Sequence, residues 1–424
     1  MHAGQEQTPN FMKILVSAYA CEPGKGSEQG TGWNWVRQIA KQNQVWVLTR
    51  ANNRKAIESA LADEPLPNSH WVYFDLPAWM RFWKRGRWGV HAYYYLWQVG
   101  VFFVARNLQR RTNFDLSHHV TLVTYWMPSL LPLLSPPFVW GPVGGGDSSP
   151  RGFFWRMGWR GKTAEMLRNF VQKLAHVDPF VRLTARRAAI ALAATPATKR
   201  RLEGVGCKRI ELSPDLGLSS QEIVRLKSSP MRAGCPFRLV SVGSLVHWKA
   251  FDLGLLAFAQ FAARFPVSEY WLIGDGPERK KLERIARDFG VEQHVTFWGG
   301  LPRTRTLEKL AECDVLAHPS LHDSGSWACL EAMAAGRPVV CVDRGGPATL
   351  VTEDTGIKVQ AESPEQTVRD LAHAFVTLAS DPVLRARLGM AAAQRVEQQF
   401  AWGKRMESVM EIYRAVAPAA RSGT

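Results

Sequence analysis

"DVLAHPSLHDSGSWACLEAMAAGRPVVCV", residues 314–342, holds the plan of the chain in miniature. A short apolar run ends in a polar loop. An alanine-rich helical segment follows, and Gly336 and Pro338 then introduce a second apolar run, Val339 to Val342. Strand, loop, helix and strand in this order make the unit of a parallel sheet, and in such sheets ligands sit beyond the carboxyl ends of the strands. Two carboxylates, Asp323 and Glu331, stand there on either side of Ser324-Gly325-Ser326. A helix start offers free N–H groups and partial positive charge to a phosphate, and glycine admits close approach. Carboxylates are poor partners for phosphate but accept hydrogen bonds from paired sugar hydroxyls. A ligand carrying both groups, a nucleotide sugar, suits the whole stretch. Asp323 alone also suits an ordinary helix cap or dipole partner. Glu331, inside the apolar "CLEAMAA", needs a partner of its own.

The same alternation extends outward. "FRLVSVGS", "SEYWLIGDGP" and "HVTFWG" read as strands, separated by the helices "AFDLGLLAFAQFAARF" and "ERKKLERIARDFG". Nearer the start, "KILVSAY", the glycine-rich loop "CEPGKGSEQGTG", the helix "WNWVRQIAKQ" and the strand "QVWVLTR" form a βαβ unit. "FDLSHHVTLV" and "PPFVWGPVGGG" read as strands running into loops. Proline, serine and glycine gather in "LSPDLGLSSQE" and "KSSPMRAGCP", which marks a linker. The expected division is a first α/β domain over residues 13–212, a linker over 213–236, a second α/β domain over 237–399 and a terminal helix over 400–418. A chain of 424 residues suits two or three domains.

A hydrophobic fraction of 46% with 21% charged residues is that of a globular enzyme. The net charge of +16 points to acidic partners: phosphorylated small molecules, an anionic membrane surface or nucleic acid. The six cysteines form no CxxC pair and no zinc spacing, and read as reduced, mostly buried thiols of a cytosolic protein. Residues 1–10 lack the pattern of a signal peptide and read as a loose tail. "AYYYLWQVGVFFVA", from Ala92, is too short for a membrane span and reads as a buried or surface-inserting helix. "AWMRFWKRGRWGVHAYYYLW" and "RGFFWRMGWRGK" mix basic and aromatic residues, which suits peripheral contact with a membrane. A packed helix with solvated charges is the plainer alternative. No recognition helix, zinc finger or RNA-binding signature supports a nucleic-acid partner.

"HPSLHDSGSWACLEAMAAGRPVVCVDRGGPATLV" resembles the signature of glycosyltransferase family 4, the glycosyl transferases group 1. "LIGDGPERKKLERIARDFGVEQHVTFWGGLP" is similar to that family's nucleotide-site segment, "VGSLVHWKAFDLGLLAF" to its phosphate-binding turn and "GKGSEQGTGWNWV" to its first glycine loop. The resemblance implies a GT-B architecture, two facing Rossmann-like domains with a cleft between them and a terminal helix that crosses back to the first. It implies sugar transfer from a nucleotide sugar to a glycan or lipid-linked acceptor, with retention; no DxD-type acidic pair is evident in the sequence, so no essential metal is expected. By position, Glu331 would hold the donor ribose and Asp323 a hydroxyl of the donor sugar. Gly325, Ser326 and Trp327 would offer backbone amides, and Lys249 would neutralise the departing diphosphate. Gly243, Ser244 and Gly274 would belong to the donor side, and Gly24 and Gly26 would let the first loop approach the phosphates. One of His118 and His119 would sit near the reacting carbon; adjacent in a strand, they point to opposite faces, so at most one faces the cleft, and a satisfied structural histidine is the plainer alternative. Read from the residues themselves, "WGPVGGGDSSP" beside the histidine strand suits an acceptor-side wall with Trp140, Gly144 and Gly145, or simply a turn.

Three positions depart from the family pattern. Asp323 is one methylene shorter than the usual glutamate. Ser244 stands where arginine is usual, and Ala250 where glycine is usual. Loss of one preorganised charge at a leaving diphosphate costs ~2–4 kcal/mol, a gap that His247 or Arg303 would have to fill. Ser244 and Ala250 keep open a catalytically impaired sugar-nucleotide-binding subunit of a polysaccharide-assembly complex, and a nucleotide-sugar epimerase or phosphorylase on the same two-domain scaffold is a further rival. A dinucleotide oxidoreductase is a weaker rival. The "GKGSEQG" spacing is off by one, and "LTRANNR" lacks the acid that would hold a ribose.

Overall fold

The computed structural model describes residues 11–81, 89–228 and 236–417. The amino-terminal tail, Cys235 and the basic half of "AWMRFWKRGRWGV" lie outside these residues. The first sheet is built from β1 (Lys13–Ala18), β2 (Gln44–Thr49), β3 (Ser69–Tyr73), β4 (Leu116–Thr121), β5 (Phe138–Val143), β6 (Ile190–Ala193) and β7 (Ile210–Leu212). Its order is β3-β2-β1-β4-β5-β6-β7, with every pairing parallel. The second is built from β8 (Phe237–Val242), β9 (Ser268–Ile273), β10 (Val295–Gly299), β11 (Val315–His318), β12 (Val339–Val342) and β13 (Gly356–Val359). Its order, β10-β9-β8-β11-β12-β13, repeats the same winding. The protein thus has two Rossmann-like domains in the GT-B architecture. Each sheet reverses its winding beside its first strand, and a crevice opens at such a switch point.

Helices cover both faces of each sheet, so the strands are continuous apolar runs with their side chains buried on both sides. Helix Val90–Thr112, which contains the longest apolar stretch, is a one-sided core helix. Tyr93, Tyr94, Trp97, Val101 and Ala105 are buried while Leu96, Val99 and Phe103 are exposed. Among the described residues, no helix is long and apolar enough to cross a membrane.

The segment read as a linker is only partly one. "SSQE" forms a capping box, Ser219 with Glu222, that starts helix Ser220–Lys227. Ile223 and Leu226 of this helix are buried in the core of the second domain beside Leu316 and Leu330. The chain crosses between the domains before this helix and again at Phe400–Trp402. The crossings are tied by Leu218 N–H to Phe400 O at 3.0 Å and Trp402 N–H to Leu218 O at 2.9 Å. Helix Trp402–Val416 then buries Trp402, Met406, Val409, Met410 and Tyr413 against Ile14, Val16, Trp35 and Ile39 of the first domain.

Candidate functional site

Loops beyond the strand ends of both sheets line one cavity of about 280 Å³. The first domain contributes Glu28, Thr124, Gly144, Gly145 and Arg168; the second contributes Trp248, His322, Asp323, Ser324 and Gly325; Asp215 enters from the crossing segment. Trp327 lines this cavity and also a neighbouring one of about 480 Å³, where Gly24 and Gly26 of the first glycine loop face Arg303, Glu222 and Glu331.

The Asp323 loop is held tightly. Its backbone oxygen accepts from Gly346 N–H at 2.6 Å, and a Cβ on Gly345, at φ +64°, would come within 2.3 Å of that oxygen. The Asp323 carboxylate is ion-paired with Lys249 and lies 3.3 Å from His318 Nε2. Burial alone would raise the Asp323 pKa, but Lys249 and His318 together hold it below the usual carboxylate range. Ser326 caps helix Trp327–Ala334, its hydroxyl accepting from Cys329 N–H. Glu331, one turn further on and buried, has the partner its setting demands: Arg303 donates to its Oε1 from Nε at 3.1 Å and Nη2 at 2.8 Å. Arg303 also donates to Glu222 at 2.6 Å. Burial raises the Glu331 pKa, against the pull of Arg303.

The domains meet at this loop. Gly145 N–H donates to Ser324 Oγ at 2.9 Å. A Cβ on Gly144 would lie 2.7 Å from the same oxygen, and one on Gly325 would lie 2.3 Å from Asp215 Oδ1, so both positions need glycine for close approach. Helix Trp159–Leu174 points Glu165 across the seam. His247 Nε2 at 3.2 Å and His322 Nε2 at 2.8 Å reach its Oε1. Burial would raise the Glu165 pKa; the two imidazoles outweigh it and hold the carboxyl well below its usual value. From the same helix, Arg168 donates to Gly145 O at 3.1 Å and to Asp147 O at 3.0 Å.

Several expected residues therefore converge on the cleft: Asp323, Gly325, Trp327, Gly144 and Gly145 at the first cavity, and Gly24, Gly26 and Glu331 at the second. Lys249 reaches the cleft through its pair with Asp323. Others do not line either cavity. His118 and His119 are fully buried. His118 bonds to Tyr413 Oη and Gly141 O, each at 2.6 Å, and His119 Nε2 lies 2.8 Å from Tyr94 Oη. Burial lowers their pKa values to about 4 and about 3. The expectation that one of them faces the reacting carbon is corrected by this geometry. Opposite faces of a strand here mean two helix-covered faces, and the cleft lies past the strand end. Trp140 is likewise core, not an acceptor wall. Gly243 and Gly274 serve each other: at φ +150° and +138°, a Cβ on Gly274 would fall 1.9 Å from Gly243 O. Ser244 is exposed beside them. His247 and Arg303, the two bases considered in place of the missing arginine, are already engaged by Glu165 and by Glu331 and Glu222.

The sequence reading passed over Glu28, Glu165, Arg168, Asp215 and His322. Glu28 accepts from the backbone N–H groups of Leu122 and Val123 at the end of β4. Its signal was its place inside the glycine-rich stretch, where the first turn of helix Ser27–Ala40 begins. Asp215 hides in "SPDLG", read as linker. Burial and the Asp323 charge raise its pKa to about 6, against Arg405, and its Oδ1 has no hydrogen-bond partner among the described residues.

Residues 229–395 match the family model described as "Glycosyl transferases group 1". The chain is 30% identical over 177 residues to a GDP-mannose-dependent monoacylated alpha-(1-6)-phosphatidylinositol monomannoside mannosyltransferase of Corynebacterium glutamicum, a match covering 39% of this chain and 45% of that protein. It is 28% identical over 264 residues to the lipopolysaccharide core biosynthesis glycosyltransferase LpsE of Rhizobium meliloti, covering 61% and 73%. The chain spans about half the length of the curated relatives it matches first. Among solved structures, Anabaena HepE in complex with UDP superposes with a TM-score of 0.63 at 19% identity, over 96% of this chain and 100% of that one. That likeness shows the two-domain fold.

Proposed function

We propose that the protein is a glycosyltransferase. It moves a hexose from a nucleotide sugar to a hydroxyl of a glycan or lipid-linked acceptor, in surface polysaccharide or glycolipid synthesis, with retention and without an essential metal. The observation that carries this reading is the juxtaposition of Asp323, the capped loop Ser324-Gly325-Ser326 and the buried Glu331 along one wall, with the first glycine loop facing them. The donor's nucleoside lies towards Glu331, its diphosphate over Trp327 and the helix start, and its sugar in the cavity at Asp323. The bond from the anomeric carbon to the diphosphate oxygen breaks, and its electron pair leaves with the phosphate. The acceptor oxygen bonds to that carbon and its proton passes to the departing phosphate. Lys249 and the amides at the helix start stabilise the charge that develops. The UDP held by HepE and the lipid acceptor named for the Corynebacterium relative support this class of donor and acceptor.

A peripheral membrane position belongs to the same proposal. Helix Trp159–Leu174 turns Glu165, Arg168 and Gln172 inward, while Trp159, Met166, Leu167, Phe170 and Leu174 are exposed on its outer side. Arg160 and Lys173 of the same helix and Arg182, Arg186 and Arg187 of the following helix, Pro179–Arg187, are also exposed. Apolar and aromatic side chains together with positive charge complement an anionic lipid surface. Buried free thiols at Cys21, Cys207, Cys313, Cys329 and Cys341 accord with a cytoplasmic setting, at the inner face of the membrane. Vesicles containing anionic lipid should bind the protein at low salt, and Phe170→Glu should release it. A second copy of the chain on this face would appear instead as a dimer in solution that Phe170→Glu dissolves.

The test of the donor site is thermal stabilisation by UDP-, GDP-, ADP- and dTDP-sugars, followed by transfer to membrane extracts with and without a chelator. One nucleotide sugar should stabilise the wild type and fail to stabilise Glu331→Ala. Ser244, where a positive charge is missing, favours a second reading: donor binding without turnover on any extract. Binding of none of these sugars would remove the donor assignment.

A further inference from the structure

A second recess, of about 350 Å³, opens on the other side of the loop that walls the cleft. Gly144 and Gly145 line the catalytic cavity; Gly146, Asp147 and Ser148, the next three residues, line this recess. Its remaining walls are Arg200 and Arg201 of helix Pro196–Gly204, His176, Ala197 and, from the second domain, Arg344. Three guanidinium groups thus converge on one hollow from both domains. Among the described residues, neither Arg200 nor Arg201 is ion-paired, whereas Arg50, Arg238 and Arg303 all have acidic partners. The one carboxylate in the wall, Asp147, is already bound by the Thr195 hydroxyl at 2.7 Å and is buried. Arg344 is tethered by a hydrogen bond to Ser148 O at 3.1 Å, which keeps it at the rim.

We propose that this recess is an anion subsite, taking a phosphate ester carried by the acceptor while the acceptor's reacting hydroxyl lies in the adjoining cavity. The proposal rests on the glycosyltransferase reading for the identity of its ligand as an acceptor. Arg200 and Arg201, without an ion-pair partner among the described residues, stand in a concave site beside Arg344, which already feels the Asp147 charge; a group with more than one negative charge matches them, and planar guanidinium forks fit phosphate oxygens in pairs. One loop between the two hollows lets a single molecule reach both. Arg344 comes from the second domain, so an anion here also draws the domains together over the cleft.

The test is calorimetric titration of the full chain with glycerol 1-phosphate, and co-sedimentation with phosphatidylcholine vesicles with and without phosphatidylinositol. The proteins are wild type, Lys249→Ala and the double variant Arg200→Ala/Arg201→Ala, each carrying Phe170→Glu in the vesicle experiment so that the outer face of helix Trp159–Leu174 adds no binding of its own. Wild type and Lys249→Ala should bind one or both phosphate esters alike, and the double variant about tenfold or more weakly, the loss expected when charge-assisted hydrogen bonds go. Binding of glycerol 1-phosphate marks a soluble phosphorylated acceptor; binding only of the phosphatidylinositol vesicles, lost in the double variant, marks a lipid headgroup. Equal binding by wild type and double variant, or no binding of either ester by wild type, overturns the subsite. Unchanged melting temperature and unchanged nucleotide-sugar stabilisation in the double variant exclude misfolding as the cause of a loss. Phosphate-ester binding in a protein that ignores every nucleotide sugar supports the recess and removes the donor reading instead.

Discussion

Glu165 of the first domain and His322 of the second meet across the cleft, carboxylate oxygen to imidazole Nε2, at 2.8 Å. The same oxygen takes His247 at 3.2 Å, so one buried acid fastens two loops of the opposite domain. Removing it leaves two rings at the seam without their partner, which typically costs about 2–3 kcal/mol. Glu165→Ala should therefore lower the urea midpoint and loosen the domains, seen as an increased radius in solution scattering. The sign with pH follows from the depressed pKa: the contribution of Glu165 is present above its ordinary value and is lost as pH falls through the folded value. An unchanged midpoint would show that the clasp adds nothing.

Lys249 and Asp323 act as a unit. With Lys249→Ala, the largest influence opposing burial at Asp323 disappears, and the carboxyl pKa rises. Turnover should fall by about 10²–10³-fold, as for loss of one preorganised charge at a developing anion. The acid limb of the pH–rate profile should also move to higher pH. A variant with wild-type turnover would remove Lys249 from the chemistry.

The strand histidines predict acid sensitivity rather than a catalytic effect. In the unfolded chain they protonate near pH 6.5; folded, burial holds them neutral down to about 4 for His118 and about 3 for His119. The stability they confer is complete above the unfolded value and declines as pH falls towards the folded ones, by up to about 1.4 kcal/mol per pH unit for each ring. Urea melts at descending pH measure that slope, and His119→Gln should flatten it.

Ala250 adopts φ +48°, ψ +37°, at the start of helix Phe251–Ala262. A side chain in that left-handed region is strained by roughly 1–2 kcal/mol, partly offset by the greater freedom of glycine in the unfolded chain. Ala250→Gly should stabilise the second domain by about 0.5–1 kcal/mol, read from its denaturation midpoint. A lower midpoint would mean that the methyl group's packing outweighs the strain.

What the sequence by itself determined was local. Apolar runs alternating with helices foretold two parallel sheets, because strand and helix periodicities are properties of neighbouring residues. The loop around Asp323, Gly325 and Ser326 was legible for the same reason: strand, small polar residues and a helix start are contiguous. So was the demand of Glu331 for a partner, though its identity, Arg303, lay 28 positions away. Only the tertiary structure decided which strand residues see the cleft. His118 and His119 alternate faces as any strand pair must, but helices cover both faces, one bringing Tyr413 and the other Tyr94. The helix within the supposed linker was signalled by its capping box, yet its burial depended on the core it joins. Glu165 with His322, Gly325 with Asp215 and Arg344 beside Arg200 join residues distant in the chain. Their proximity follows from how two domains pack, and no local period encodes it.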